Sequence, residues 1–262
     1  MVVKTKTTGL ESRLQAVRRR NRLKTGLQTQ AALEELKLGV APGRLATNNP
    51  PKSTMNKYVV EFIGTFFLVL TIGCCVVIGG AGVIAPLAIG SALMVMIYAG
   101  GHISGGHYNP AVTLGVWVRG RCATSDVVPY WISQVIGASL AALALNYLKG
   151  DLSAKPMVLK TGPALLAEFL FTFALVYVVI NTATAKGTAN NSFYGLAIGF
   201  TVLAGAFSVG SISGAAFNPA VAVGISIMGL SAWSNIWIYL VSTFAGGLAA
   251  GVTFKFLNPL DK

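Results

Sequence analysis

The hydrophobic positions along the chain fall into long apolar runs separated by short polar stretches. Six of these runs are about 20 residues long, the length that an α-helix needs to cross a bilayer. The predicted membrane spans are Tyr58–Gly80, Ala85–Gly101, Val127–Leu148, Ala164–Thr184, Phe193–Val209 and Trp233–Phe256. Two further apolar stretches, Pro110–Val118 and Pro219–Met228, are too short to cross. The pattern predicts an all-α membrane protein with six transmembrane helices and two re-entrant half-helices.

Two parts of this pattern occur twice. The stretch VEFIGTFFLVL at 60–70 aligns with AEFLFTFALVY at 167–177, and ISGGHYNPAVTLG at 103–115 aligns with ISGAAFNPAVAVG at 212–224. Each half holds three spans, an odd number, so the second half must enter the membrane upside down relative to the first. We therefore predict an inverted 3+3 repeat, with repeat one at about 58–149 and repeat two at about 163–258.

Each copy of the Asn-Pro motif is predicted to begin a half-helix. Asn is a preferred N-cap because its side-chain oxygen accepts from free backbone N–H groups, and Pro suits the next position because it has no N–H. The preceding runs, Ile103–Tyr108 and Ile212–Phe217, would leave unpaired carbonyls in lipid, so we expect them to line one aqueous path. The positive ends of the half-helices then meet near the midplane, and each Asn keeps its NH₂ group free to donate into the lumen, which opposes proton transfer.

Other polar residues of the two halves have candidate roles beside this path. Glu61 and Glu168 are the only acidic residues deep within the predicted spans. They could form a proton or sodium relay, but their symmetric placement favours hydrogen bonding to the irregular loop of each half. The predicted pore-lining residues of these loops are Gly105, Gly106, His107 and Gly214. A pH gate at His107 is an alternative to a lining role.

Composition agrees with a membrane protein and shows where the charge lies. The chain is 54% hydrophobic and 11% charged, with a net charge of +12. Twelve Lys and Arg fall within residues 1–57, which we interpret as a flexible or surface-lying cytoplasmic tail beside anionic lipid, with no nucleic-acid partner. A targeting peptide and an alternative start at Met55 are other interpretations of this segment. With the tail inside, seventeen basic residues lie on the cytoplasmic side and three lie outside, so both termini are expected in the cytoplasm.

From Tyr58 to about Phe256, and through both motifs, the sequence resembles the aquaporin, or major intrinsic protein, family. The resemblance implies a channel with one pore per subunit and a homotetramer in the membrane. The residues that match the family's pore motifs are Asn109, Pro110, Ala111, Asn218, Pro219 and Ala220. We expect the protein in the cell membrane, plasma or inner, with an organelle membrane as the alternative.

The sequence departs from the family pattern directly after the second motif. Most water-selective members have Arg at this position of a narrow outer filter, and this chain has Val221. Alignment without gaps places the other filter positions at Ile89, Ala206 and Ala215, so none of the four is Arg, His or aromatic. We expect a wider and drier constriction that discriminates less against neutral solutes, although a hydrophobic constriction could also dewet and close.

The sequence favours a passive channel for water and small uncharged solutes. One alternative is a channel mainly for a single neutral solute such as glycerol, ammonia, hydrogen peroxide or a metalloid acid. An ion-coupled secondary transporter would need lumen-facing acids or a polar substrate site, and a junction or scaffold protein would need an elaborate outer surface. The sequence has no metal-ligand cluster, nucleophile-base arrangement or phosphate loop, so neither an enzyme activity, a metal nor a cofactor is expected.

Overall fold

A computed structural model describes residue 17 and residues 54–261. The expectations for the basic tail at 1–57 therefore lie outside the described residues, except at residue 17 and at 54–57, which form the start of the first helix. Residues 54–261 form α-helices joined by short turns and contain no β-strand. The helices are α1 (Thr54–Gly73), α2 (Ala85–Ser104), α3 (Pro110–Arg119), α4 (Thr124–Leu148), α5 (Thr161–Val179), α6 (Tyr194–Ser213), α7 (Pro219–Ile227) and α8 (Ile236–Leu257). The predicted all-α class is confirmed over this range.

The six predicted spans are present as helical segments that are long and apolar enough to cross a membrane. A π-helical turn extends α1 over Cys74–Ile78 and another extends α5 over Ile180–Thr184, while a 3₁₀ turn at Trp233–Asn235 leads into α8. The short helices α3 and α7 end within one residue of their predicted bounds, at Arg119 and Ile227.

Two spans end later than the sequence predicts. Helix α2 continues to Ser104 and α6 to Ser213, three and four residues beyond the predicted ends. Each helix stops at the next residue, a glycine whose left-handed backbone (φ +95 at Gly105, +87 at Gly214) closes the last turn. The prediction that Ile103–Tyr108 and Ile212–Phe217 are wholly non-helical is therefore wrong, and the irregular segments are shorter.

The helices form two halves with the same order: two spans, one half-helix and a third span. Helix α1 packs along α4 in the first half, and α5 packs along α8 in the second. Each half-helix lies against the last span of the other half, α3 against α8 and α7 against α4. Helices α2 and α6 meet at Gly90 and Gly199, where an added Cβ would lie 2.7 and 2.5 Å from the other glycine's carbonyl oxygen. The contacts of each half-helix with the other half, together with the contact between α2 and α6, join the inverted halves into one bundle.

Charged residues gather at the end of the bundle where α1 begins and α8 ends, which we call the tail face. Lys57 Nζ lies 2.8 Å from Asp126 Oδ2 and joins the starts of α1 and α4. The buried Arg119 at the end of α3 lies 2.6 Å from Asp261 Oδ1. Asp261 Oδ2 accepts from the backbone N–H of Lys186, between α5 and α6, at 2.8 Å. The residues after α8 thus connect the end of a half-helix to the turn between α5 and α6.

Asp261→Asn should weaken this connection in a pH-dependent way. The Lys186 N–H and the Arg119 charge hold the pKa of Asp261 below its ordinary value of 3.8. A lowered carboxyl pKa stabilises the fold above the ordinary pKa, and that contribution is lost as the pH falls through the lowered value. In detergent, the variant should melt below the wild type by the same amount at pH 7 and pH 5. The difference in melting temperature between variant and wild type should narrow only below about pH 4.

Differential scanning fluorimetry across this pH range measures this difference, and Asp151→Asn, an exposed carboxylate in the turn after α4, is the matched control. A difference that disappears between pH 7 and pH 5 would contradict the assignment.

Candidate functional site

The two Asn-Pro motifs begin α3 and α7 in nearly identical geometry. Asn109 Oδ1 accepts from the backbone N–H groups of Ala111 (2.8 Å) and Val112 (3.4 Å). Asn218 Oδ1 makes the equivalent two contacts at 2.9 and 3.4 Å. A proline follows each Asn within the first turn, where its missing N–H leaves no partner unsatisfied. Both half-helices therefore begin at an asparagine N-cap.

The amide nitrogens of the same asparagines connect the two loops, which corrects the expectation that both NH₂ groups stay wholly free. Asn109 Nδ2 donates to the Phe217 carbonyl at 2.9 Å, and Asn218 Nδ2 donates to the Tyr108 carbonyl at 2.8 Å. An amide NH₂ has two hydrogens, so one N–H of each Asn is left without a partner among residues 54–261. The two loops bind each other and still retain one donor each.

A buried carboxylate fixes each loop from behind. Glu61 accepts from the Ser104 hydroxyl (2.7 Å) and from the backbone N–H groups of His107 (2.9 Å) and Tyr108 (2.6 Å). Glu168 accepts in the same order from the Ser213 hydroxyl (2.7 Å), Ala216 N–H (3.0 Å) and Phe217 N–H (2.7 Å). Both glutamates are 0% exposed. Since charge-assisted hydrogen bonds are stronger than neutral ones, these contacts offset much of the cost of burying the charge.

The contacts of the carboxylates coincide with strained backbone. Tyr108 and Phe217 have φ of 48°, and Ala215 has φ of 52°, in the left-handed region that costs an L-residue roughly 1–2 kcal/mol. This conformation lets the Tyr108 N–H donate to Glu61 while the Tyr108 carbonyl accepts from Asn218. The strain therefore comes with the geometry that joins each carboxylate to the opposite asparagine.

A narrow passage of about 30 Å³ is lined by both asparagines. On a measure in which one water occupies roughly 10–15 Å³, this leaves room for only a few waters. Its wall consists of loop residues and of apolar side chains from four spans and both half-helices. Those of the spans are Leu68 and Ile72 of α1, Ile89 and Leu93 of α2, Leu175 and Val179 of α5, and Ile198 and Val202 of α6. Within the described part of the chain, no Asp, Glu, Lys or Arg lines the passage.

The passage continues into a wider cavity at the tail face. This vestibule has a volume of about 610 Å³ and is lined by charged residues that include Lys57, Arg121 and Lys186. His107 and Val179 line both the vestibule and the passage. The His107 Nδ1 atom lies 3.1 Å from Thr113 Oγ1, so the ring is held where the two cavities join.

Three of the four predicted filter residues share the wall of the passage. Ile89, Ala215 and Val221 line it, whereas Ala206 does not. Ala206 lies one helical turn beyond Val202 of α6 and is not part of this wall. Three of the four residues therefore lie together, and their role as a filter stays a prediction.

The glycines expected to line the pore also differ in position. Gly106 lines the passage, as His107 does, while Gly105 lines the vestibule. Gly214 lines neither of these two cavities, so its lining role stays a prediction. It ends α6, and an added Cβ there would lie 3.5 Å from the Tyr239 hydroxyl.

Several supporting residues were not predicted from the sequence. The Tyr130 hydroxyl donates to the Ser104 carbonyl at 2.7 Å, and the Tyr239 hydroxyl donates to the Ser213 carbonyl at 2.8 Å. These tyrosines are 109 positions apart, the same offset as the two pore-motif asparagines, so extending the repeat into α4 and α8 would have found them. Gln134 Nε2, which donates to Glu61 Oε2 at 2.8 Å, has Thr243 at the equivalent position and carries no such signal.

Comparison with known proteins identifies the class that this fold and site define. A sequence model described as Major intrinsic protein matches residues 50–254. Aquaporin NIP1-3 of Oryza sativa subsp. japonica is 37% identical over 233 residues, covering 83% of this chain and 80% of that protein. Glycerol uptake facilitator protein-like 6 of Lactiplantibacillus plantarum is 35% identical over 217 residues, covering 79% of this chain and 100% of that protein.

A solved structure shares the fold. The X-ray structure of the aquaglyceroporin from Plasmodium falciparum matches with a TM-score of 0.67 at 19% sequence identity, covering 79% of this chain and 98% of that chain. The protein is an integral multi-pass membrane protein with the aquaporin fold of six spans and two half-helices. It belongs to the major intrinsic protein family of channels.

The buried carboxylates can be tested by replacing each with its amide. Glu168→Gln should lower the free energy of unfolding by about 2 kcal/mol. The NH₂ group that replaces one carboxylate oxygen cannot accept a hydrogen bond, so a backbone N–H of the loop loses its acceptor. Glu61→Gln should cost more, since Glu61 also accepts from Gln134. Denaturant unfolding in detergent, followed by tryptophan fluorescence, gives both values. Asp151→Asn removes an exposed carboxylate and serves as control; a glutamate variant as stable as this control would sink the assignment.

Proposed function

We propose that the protein is a passive channel for water and small uncharged solutes. The observation that carries the proposal is the pair of asparagine amides that line one narrow passage. Asn109 and Asn218 each retain one N–H after binding the opposite loop. A water between them accepts from both through its oxygen, so its hydrogens point outward and it cannot relay a proton along a continuous chain.

Electrostatics support the exclusion of cations. Each half-helix begins at its asparagine and presents roughly half a positive charge at its N-terminus. No carboxylate of the described residues lines the passage to compensate for these two positive ends. A cation entering the passage would lose water of hydration and meet two positive helix ends, whereas a neutral solute meets only donors that it can use.

The arrangement of the acids supports a passive mechanism over an ion-coupled one. A transporter needs a carboxylate that binds and releases an ion or a proton in the lumen. Glu61 and Glu168 are 0% exposed and accept hydrogen bonds from their own loops. Protonating or releasing either group would unsettle the loop that it holds, so neither is suited to turn over in each transport cycle.

Selectivity among neutral solutes is proposed to be broad. Ile89, Ala215 and Val221 bring no charge, ring or hydrogen-bond donor from their side chains to the passage. The similarity to an aquaporin and to a glycerol uptake facilitator supports a channel for water and glycerol. A channel mainly for one neutral solute, such as glycerol, ammonia, hydrogen peroxide or a metalloid acid, is the second candidate. Among these solutes the apolar wall favours glycerol, because its carbon chain packs against apolar side chains and water does not.

We further propose that the tail face is cytoplasmic and that the channel is a homotetramer in the cell membrane. Basic residues support this orientation: Lys57, Arg119, Arg121, Lys186 and Lys255 lie at the tail face, and Lys149, Lys155 and Lys160 lie between α4 and α5 at the other end. Exposed apolar side chains on the outside of the bundle, such as Leu170 at 49% and Phe200 at 48%, support contact with lipid or neighbouring subunits.

Stopped-flow light scattering on proteoliposomes tests the channel proposal. We expect osmotic water permeability well above that of empty liposomes, without saturation and with a low activation energy. Glycerol, urea and ammonia should pass in the same preparation without a sodium or proton gradient. Solute flux that depends on such a gradient would overturn the passive mechanism.

Val221→Arg tests the contribution of the missing filter charge. A guanidinium should narrow the passage and donate to water, so the ratio of glycerol to water permeability should fall by about tenfold, equal to roughly 1.4 kcal/mol of added barrier for glycerol. Val221→Leu adds bulk without charge and should change the ratio less. The same stopped-flow preparation measures both ratios, and a ratio unchanged by Val221→Arg would show that this position does not control selectivity.

A further inference from the structure

The wall of the passage is built from pairs of residues related by the internal repeat. Among the lining residues, all but Tyr108 have a partner 107 or 109 positions away that also lines the passage. The apolar pairs are closely matched: Ile89 pairs with Ile198, and Val112 with Val221. The repeat therefore shapes the lumen itself as well as the order of the helices.

Chain direction assigns the members of each pair to opposite ends of the passage. Helix α2 runs toward the tail face and α6 runs away from it, so Ile89 and Ile198, early in their helices, lie at opposite ends. Val221 is in the first turn of α7 and Val112 in the first turn of α3, which leave the centre in opposite directions. Val179, which also lines the vestibule, marks the tail end.

The two ends consequently present similar apolar surfaces to a solute, although Ile72 pairs with the smaller Val179 and Leu93 with Val202. Each has an Ile from a span and a Val from a half-helix, and neither has a charged side chain among the described residues. A polar solute loses hydrogen bonds to water on entering such a segment, whichever end it enters. The one pair that differs in polarity is His107 with Ala216. The His107 Nδ1 atom is in contact with Thr113 Oγ1, so the ring offers only its Nε2 atom to a solute at the tail end.

We propose that the passage contains two constrictions in series, which contribute equally to its resistance to solutes. The far constriction is formed by Ile89 and Val221, and the tail constriction by Ile198 and Val112. This inference rests on the proposed channel function and extends it, because it makes Ile198 and Val112 specificity-determining residues at an end to which the outer filter does not reach. Solute size is then limited twice, and widening the far end alone does not open the channel.

Two barriers in series give a distinctive pattern of permeabilities. The resistances of the two ends add, so removing one of two equal barriers raises solute permeability by at most about twofold. Removing both releases the whole restriction. With a single limiting filter, by contrast, one substitution produces the full effect and the other produces none.

Glycerol permeability of full-length protein in proteoliposomes distinguishes these cases. We expect Ile89→Ala and Ile198→Ala each to raise it by less than about twofold and by equal amounts, and the double variant to raise it by about fivefold or more. Ile132→Ala, at a side chain 54% exposed on the outside of α4, is the matched control and should leave glycerol permeability unchanged.

Four outcomes would overturn the proposal: Ile89→Ala alone matching the double variant, Ile198→Ala alone doing so, single variants with unequal effects, or a double variant equal to the wild type. If an alanine variant does not fold, Ile89→Val and Ile198→Val should give the same pattern at smaller amplitude. A wild type with neither water nor glycerol flux above empty liposomes overturns the channel function itself. Water flux with unequal single variants overturns only the two equal constrictions.

Discussion

The structure depends on one interaction repeated twice, a buried carboxylate that accepts the backbone N–H groups of an irregular loop. Each loop enters the bundle at a depth where lipid offers no hydrogen bonds, and each unpaired group there would cost several kcal/mol. Glu61 and Glu168 supply acceptors for two successive N–H groups and one serine hydroxyl in their own halves. This interaction makes an irregular, strained segment compatible with the interior of a membrane protein.

The asparagines convert two separately held loops into one site. Each uses its side-chain oxygen to cap its own half-helix and one amide hydrogen to bind the carbonyl before the opposite asparagine. The donor that remains on each amide is positioned by both halves at once. Because the half-helices also converge here with their positive ends, the same geometry that completes the fold creates a centre suited to neutral hydrogen-bonding solutes.

Much of this architecture could be predicted because it depends on local signals. Apolar length identified the spans, and the repeated motif identified the half-helices and the inverted halves. The wall of the passage could not be found in this way, since apolar residues in a membrane bundle face lipid and lumen alike. Leu170 and Leu175 lie on the same helix, yet the first is 49% exposed and the second is 3% exposed and lines the passage. Only packing between helices separates them.

The ends of the helices and the filter residues also could not be predicted from local sequence patterns. Helix α2 reaches Ser104 because the serine hydroxyl binds Glu61, 43 positions away, which no local pattern indicates. Alignment placed Ala206 in the filter by spacing, but this residue does not line the passage. These differences arise where the packing of helices against one another decides which residues meet.

The most direct test of the account is an experimental structure in lipid that resolves ordered water. We predict a water within roughly 3 Å of Nδ2 of both Asn109 and Asn218, with the Glu61 and Glu168 carboxylates bound to their loops. A passage without water between the asparagines, or a glutamate turned away from its loop and hydrated, would contradict the account.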